Sequence, residues 1–247
     1  MKMNQTGRYE LCIIVPVFNE EDNMVSLSRA LAAYIEHASV ATCVMFINDG
    51  SVDKSLEKIE ASCREYPDMF FLGFARNCGL SAALKAGFDW ADSPFCGYID
   101  ADLQTSPDDF ELLLPYRREY ELITGIRTGR KDSFAKRMSS KIANSFRRMM
   151  THDGIEDTGC PLKIIRTDTA KRMPFFKGMH RFMPALVLLQ EGKIRQIPVR
   201  HFERTAGKSK FHLWNRLTGP FIDCFAYRWM KKRYIRYSIE TSNVERV

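Results

Sequence analysis

Leu11-Cys12-Ile13-Ile14-Val15-Pro16-Val17-Phe18-Asn19-Glu20-Glu21-Asp22 is the stretch that decides the fold. Its first seven residues are apolar without alternation, the pattern of a strand buried on both faces of a parallel sheet. The acidic residues behind them open an amphipathic helix that runs to about His37. The same unit repeats down the chain. Residues 42–47 read as a second strand, Asp49-Gly50-Ser51 as a turn, and Asp53 as the cap of a helix running to about Tyr66. Residues 69–73 make a third strand, 80–90 a helix, and 95–99 a fourth strand. This β-α-β-α-β-α-β order predicts an α/β fold, a doubly wound and mostly parallel sheet flanked by helices.

Ligands of such sheets bind beyond the carboxyl ends of the strands. Four polar clusters fall at that edge: Pro16 to Glu20, Asn48 to Ser51, Ala75-Arg76-Asn77 and Asp100-Ala101-Asp102. The last carries two carboxylates one residue apart. If strand geometry persists to its end, both point the same way. Like charges this close repel unless a cation lies between them, and hard divalent ions prefer carboxylate oxygens. Alone, an Asp-x-Asp is more often a solvated acidic loop; three neighbouring polar clusters make this one a candidate metal site.

Further on, Ser106-Pro107-Asp108-Asp109 has the form of a helix start, its acids serving as caps. Residues 121–125 read as a strand and 133–150 as a basic helix with Phe134, Met138, Ile142, Phe146 and Met149 on its apolar positions. Strands at 162–165 and 194–199, with a helix near 180–191 between them, complete the sheet. No repeat, low-complexity tract or domain-sized linker interrupts the pattern.

The 247 residues, 45% hydrophobic, suffice for one large α/β domain. Strictly apolar runs reach only eight residues, as at 182–189, against the ~20 that span a bilayer. The first ten residues are polar and lack a signal-peptide core, and seven cysteines without metal-ligand spacing fit reduced thiols, so a cytosolic setting is expected. The net charge of +7 is uneven. Residues 126–150 carry +7 and 200–237 carry +8, leaving −8 for the rest. Two basic segments on an acidic body point to anionic partners: phosphates, lipid headgroups or nucleic acid.

Six ordered motifs resemble a known family. They are Val15 to Glu20, Ile47 to Ser51, Arg76-Asn77-Cys78-Gly79, Asp100-Ala101-Asp102-Leu103-Gln104-Thr105-Ser106-Pro107, Asp157-Thr158-Gly159-Cys160 and Arg204-Thr205-Ala206-Gly207-Lys208-Ser209-Lys210. Together they resemble the inverting family 2 glycosyltransferases of the GT-A fold, in the dolichol-phosphate mannose synthase-like branch that moves a sugar from a nucleotide to a polyprenyl phosphate. The resemblance covers roughly residues 11–211, which would form the catalytic domain (1–211) ahead of a tail (212–247).

The resemblance implies a role for each motif. Pro16, Asn19, Glu20 and Asp49 would line the nucleoside pocket of a UDP- or GDP-linked sugar, with Arg76, Asn77, Asp100 and Ala101 completing the donor site. Asp102, helped by Asp100, would hold Mg²⁺ or Mn²⁺ on the donor diphosphate. Asp102, Gln104 and Asp157 would form the catalytic set. A hydroxyl acceptor would need Asp157 as base; a phosphate acceptor, already ionised, would need it only for positioning. Arg204, Lys208, Ser209 and Lys210 resemble a mobile loop closing over the phosphates, joined by Arg127, Arg130, Lys131, His180 and Arg181. The family usually writes an acid where this chain has Asn48, which leaves the base open.

In the tail, Pro220 reads as a helix start, and Phe221, Ile222, Phe225, Ala226, Trp229 and Met230 as one apolar stripe beside Arg228, Lys231, Lys232, Arg233 and Arg236. Such a helix lies in a membrane surface or docks on its own domain. The expectation is therefore a peripheral enzyme at the cytoplasmic face of a membrane, served by a lipid acceptor, with a separate membrane-spanning partner or a homo-oligomer as further associations. The alternatives are transfer to a hydroxyl of a glycan or glycolipid, a degenerate transferase-fold binding protein, and a basic nucleic-acid binder. The acidic pair and the lack of a nucleic-acid motif speak against the last.

Overall fold

The computed structural model describes residues 5–128, 145–202, 218–236 and 240–241. Its elements are β1 (Leu11–Val17), α1 (Glu21–His37), β2 (Thr42–Asn48), α2 (Ser55–Glu65), β3 (Met69–Gly73), α3 (Leu80–Trp90) and β4 (Phe95–Tyr98). Then come α4 (Phe110–Leu113), β5 (Leu122–Arg127), α5 (145–151), β6 (Lys163–Arg166), α6 (Thr167–Arg172), α7 (Met183–Leu189), β7 (Ile194–Val199) and α8 (Thr218–Arg233).

Seven strands form one sheet in the order β3-β2-β1-β4-β6-β5-β7. Every strand is parallel to β1 except β6, which runs antiparallel to both β4 and β5. The chain winds outward from β1 to β3 and then returns to the other side of β1 as β4. The order thus reverses between β1 and β4, and a crevice opens at their carboxyl ends. Both faces of the sheet are covered. Cys12 and Ile14 of β1 face a core with Leu84, Phe88, Phe182 and Leu186, while Leu11, Ile13 and Val15 face one with Met24, Leu27, Tyr34 and Phe110. Two-sided burial explains why β1 shows no alternation.

Several local readings shift in register. The fourth strand ends at Tyr98, so Asp100 and Asp102 stand in a turn, where Leu103 takes a positive φ of 57°. The strand argument for a common direction therefore does not apply. Asp53 does cap α2 in effect, its Oδ1 accepting the Ser55 amide at 2.9 Å, although the helix begins a residue later than that role implies. Ser106 caps the turn at Pro107–Asp109 as expected, and α8 starts at Thr218 rather than Pro220. The 129–144 part of the basic helix lies outside the described residues.

Candidate active site

At the expected donor side three loops are stitched together. The Asn19 amide, at φ 51°, donates to Ser51 Oγ at 3.0 Å, Val52 N donates to Asn19 Oδ1 at 2.9 Å, and Glu20 N donates to Ser55 Oγ at 2.8 Å. Asn23 Nδ2 fixes the Glu20 carboxylate at 2.7 Å. Pro16, partly buried, pairs with Ile47 one residue before the end of β1. Asp49 reaches across to the third loop: its carboxylate accepts Cys78 N at 2.6 Å, Gly79 N at 2.9 Å and Asn77 Nδ2 at 2.9 Å. Asp49 and Asn77 are thus partners of each other, and Arg76 stays exposed beside them. The loops meet so closely that a Cβ on Gly50, itself at φ 65°, would lie 2.3 Å from the Arg76 carbonyl carbon. Asn48 Oδ1 accepts Ser51 N at 3.3 Å, closing the turn after β2.

The acidic turn follows β4. Tyr98 Oη donates to Asp100 Oδ1 at 2.7 Å, and the Gln104 amide donates to Asp102 Oδ1 at 3.2 Å. Ala101 is buried between the two carboxylates. Burial, and next the Asp102 charge, push the Asp100 carboxyl up to about 6, against the pull of the Tyr98 hydroxyl, Lys163 and Arg127. A carboxyl held that high reflects burial first and the neighbouring Asp102 charge second. Two oxygen donors of this kind fit Mg²⁺ or Mn²⁺. Among the described residues no group of three or more metal-ligating side chains occurs, so diphosphate and water would supply the other ligands.

The sign of the proton linkage follows. A carboxyl raised above its unfolded value of 3.8 stabilises the fold at low pH, and that contribution is lost as pH rises through about 6. Protons and a divalent cation compete for the same oxygens. The rise in melting temperature caused by Mn²⁺ with a nucleoside diphosphate is therefore expected to be smaller at pH 5.5 than at pH 7.5; an equal rise at both would remove Asp100 from the metal site.

The turn also binds Phe202, the last described residue before the basic segment 204–210: Phe202 N donates to Gln104 O at 2.9 Å. Two residues earlier, Arg200 is held on the buried Asp109, with Nε to Oδ1 at 2.8 Å. Arg130, Lys131, Arg204, Lys208, Ser209 and Lys210 themselves lie outside the described residues.

On the other side of the acidic turn, Asp157 meets Arg127. The guanidinium makes a two-pronged contact, Nε to Oδ2 at 2.8 Å and Nη2 to Oδ1 at 2.7 Å, and the Arg127 amide adds a third bond at 3.2 Å. His180 Nδ1 bonds Ser81 Oγ at 2.9 Å in the first turn of α3. Burial, then Arg181 and Lys163, bring its pKa down to about 3, so His180 is neutral and would meet a phosphate through a hydrogen bond only. Arg181, one residue on, is partly buried. Three residues near the site escaped sequence reading: Tyr98, Ser81 and the wholly buried Lys163. A lysine inside the apolar run Leu162-Lys163-Ile164-Ile165 was the available signal.

Residues 12–178 match the model of glycosyl transferase family 2. The chain belongs to that family. Within it, the chain is 33% identical over 208 residues to the dodecaprenyl-phosphate galacturonate synthase of Rhizobium johnstonii, matching 82% of this chain and 62% of that protein. It is 30% identical over 203 residues to the undecaprenyl-phosphate 4-deoxy-4-formamido-L-arabinose transferase of Edwardsiella ictaluri, matching 81% and 62%. The chain thus spans less than two thirds of these relatives. The family fold is also that of glucosyl-3-phosphoglycerate synthase from Mycobacterium tuberculosis, solved with Mn²⁺, UDP-glucose and phosphoglyceric acid: TM-score 0.69, 12% identity, 90% of this chain and 79% of that one. Another structure of that synthase, with Mg²⁺ and UDP, aligns at TM-score 0.66 and 13% identity over 90% of this chain and 79% of its own.

Proposed function

We propose that this family 2 chain transfers a sugar, with inversion, from a UDP- or GDP-linked donor to a polyprenyl phosphate at the cytoplasmic face of a membrane. The Arg127–Asp157 fork carries the reading. A carboxylate whose two oxygens are both held by a guanidinium is a weak base, poorly suited to taking a proton from a hydroxyl. A phosphate acceptor needs no such base, because its second pKa is about 6 and it arrives largely ionised. The names of the two curated relatives point to the same acceptor class. Asp157 then positions Arg127, and Arg127, with the basic loop rooted beside Gln104, would attract the phosphate.

On the donor side, the stitched loops of Asn19, Glu20 and Asp49 would cradle the nucleoside, and Asp100 and Asp102 would hold Mg²⁺ or Mn²⁺. When bound, that ion neutralises negative charge growing on the departing nucleoside diphosphate. Gln104, tied to Asp102 and to Phe202, would keep donor and loop in register.

Helix α8 supports membrane attachment. Cys224 and Tyr227 dock it on the domain, with Tyr227 Oη donating to Ala185 O at 3.2 Å. Phe221, Ile222, Phe225 and Trp229 stay exposed beside Arg228, Lys231, Lys232 and Arg233. One face of the helix docks on the domain, and the other, left exposed, would suit an anionic leaflet. Among the described residues no helix is long and apolar enough to cross a membrane.

A thermal-shift panel of UDP- and GDP-sugars with and without Mn²⁺ tests the donor half of the proposal. One nucleotide class is expected to raise the melting temperature only with the metal. A response to oligonucleotides alone would defeat it.

A further inference from the structure

Lys163 stands in β6 with 1% of its surface exposed, opposite Tyr98 of β4 and Thr124 of β5. An amine at that depth carries a desolvation cost that one hydrogen bond does not offset, and an apolar side chain of the same length would serve the core better. Its surroundings give it another use. Nζ donates to the Cys160 carbonyl and lies 5.6 Å from the centre of the Tyr98 ring, whose hydroxyl binds Asp100. The Cys160 amide in turn donates to Asp157 O at 3.4 Å, closing the 157–160 turn, and the Asp157 carboxylate lies in the Arg127 fork. One side chain thereby connects the strand that delivers the acidic pair to the turn that delivers Asp157. Burial lowers its pKa, while the Cys160, Asp157 and Asp100 groups around it act in the opposite sense.

We infer that Lys163 is a positioning residue for the transfer step: by holding the Cys160 carbonyl against β6 it sets the Arg127–Asp157 pair in register with the end of β4. It acts through Arg127 and Asp157, and the inference rests on their being the acceptor side of the proposed transferase. Because displacing a reacting partner by about 1 Å can cost a hundredfold in rate, a turn released from Lys163 is expected to lower turnover without weakening the donor site.

Lys163→Met and Lys163→Arg test this in the full chain, with hydrogen exchange of residues 157–163, thermal melting, the Mn²⁺-dependent thermal response to UDP or GDP, and transfer kinetics with undecaprenyl phosphate. The methionine variant leaves the Cys160 carbonyl without its donor, so its melting temperature is expected to fall by a few degrees and the arginine variant to restore it. Its 157–163 amides should exchange about tenfold faster, kcat should fall about tenfold or more, and donor KM and the nucleotide response should stay within about threefold. The arginine variant should recover exchange protection and most of kcat. Unchanged exchange or unchanged kcat in the methionine variant would overturn the inference. So would a fall in melting temperature that arginine does not repair, which marks a merely structural residue, or loss of the nucleotide response. If the parent chain itself transfers nothing, the transferase reading fails, and the exchange comparison alone still decides whether Lys163 holds the turn.

Discussion

Asp102→Asn is expected to cut metal-dependent transfer by on the order of 10³-fold, the scale of losing a preorganised electrostatic contact to the developing charge. The amide keeps Oδ1 as acceptor for the Gln104 amide, now at 3.2 Å, so the turn stays folded. What goes is one of the two negative charges that would hold a cation there. Asp100 simultaneously loses the like charge that helps push its carboxyl up to about 6. The metal-free variant should therefore melt no lower than the parent at pH 7.5, while the thermal response to Mn²⁺ with nucleotide disappears. Equal stability with lost response separates a binding role from a structural one. If initial rates and the Mn²⁺ response both match the parent, Asp102 holds no metal.

Asp49→Ala is expected to damage both stability and donor affinity. The Asp49 carboxylate takes two backbone amides, Cys78 and Gly79, and the Asn77 side chain, and it is buried. Hydrogen bonds to a charged group contribute about 1.5–3 kcal/mol each, offset in part because Cys78 is exposed and its freed amide can turn to water. A loss of about 3–5 kcal/mol follows, or roughly 10 °C in melting temperature for a chain of this size. Asp49→Asn, which still offers one acceptor oxygen, should lose less. Donor KM should rise in both, because the Asn19, Asp49 and Asn77 loops no longer share a fixed frame. A melting temperature within about 2 °C of the parent for Asp49→Ala would show that the loops hold without it.

How far the sequence could be read depended on what kind of contact was involved. The first four strands and their helices were legible because each is a contiguous apolar run closed by polar turn residues, and the crevice followed from their order. The acidic pair fell where expected, beyond β4, although the strand stops at Tyr98 and a turn, not a pleat, sets the direction of the two carboxylates. Pairings across long separations were not legible. Nothing in the pattern says that Asp157 is held by Arg127, thirty residues earlier, or that Asp49 spends its carboxylate on the Cys78 and Gly79 amides and the Asn77 side chain instead of leaving it open to a nucleoside. Lys163 stood out as a charge in an apolar run, but its partners did not. Only the antiparallel insertion of β6 between β4 and β5 buries it against Tyr98, and topology of that kind leaves no periodic trace. In α8 the apolar stripe seen in the sequence, with Phe221, Ile222, Phe225 and Trp229, stays exposed, and the residues that dock the helix, Cys224 and Tyr227, lie outside that stripe.

The central claim is sugar transfer to a lipid phosphate, and product chemistry tests it most directly. Radiolabelled UDP- or GDP-sugar with Mn²⁺ and undecaprenyl phosphate in anionic vesicles should yield a labelled lipid that mild acid cleaves, with opposite anomeric configuration to the donor. A labelled product that resists mild acid, formed equally well without the lipid phosphate, would contradict it.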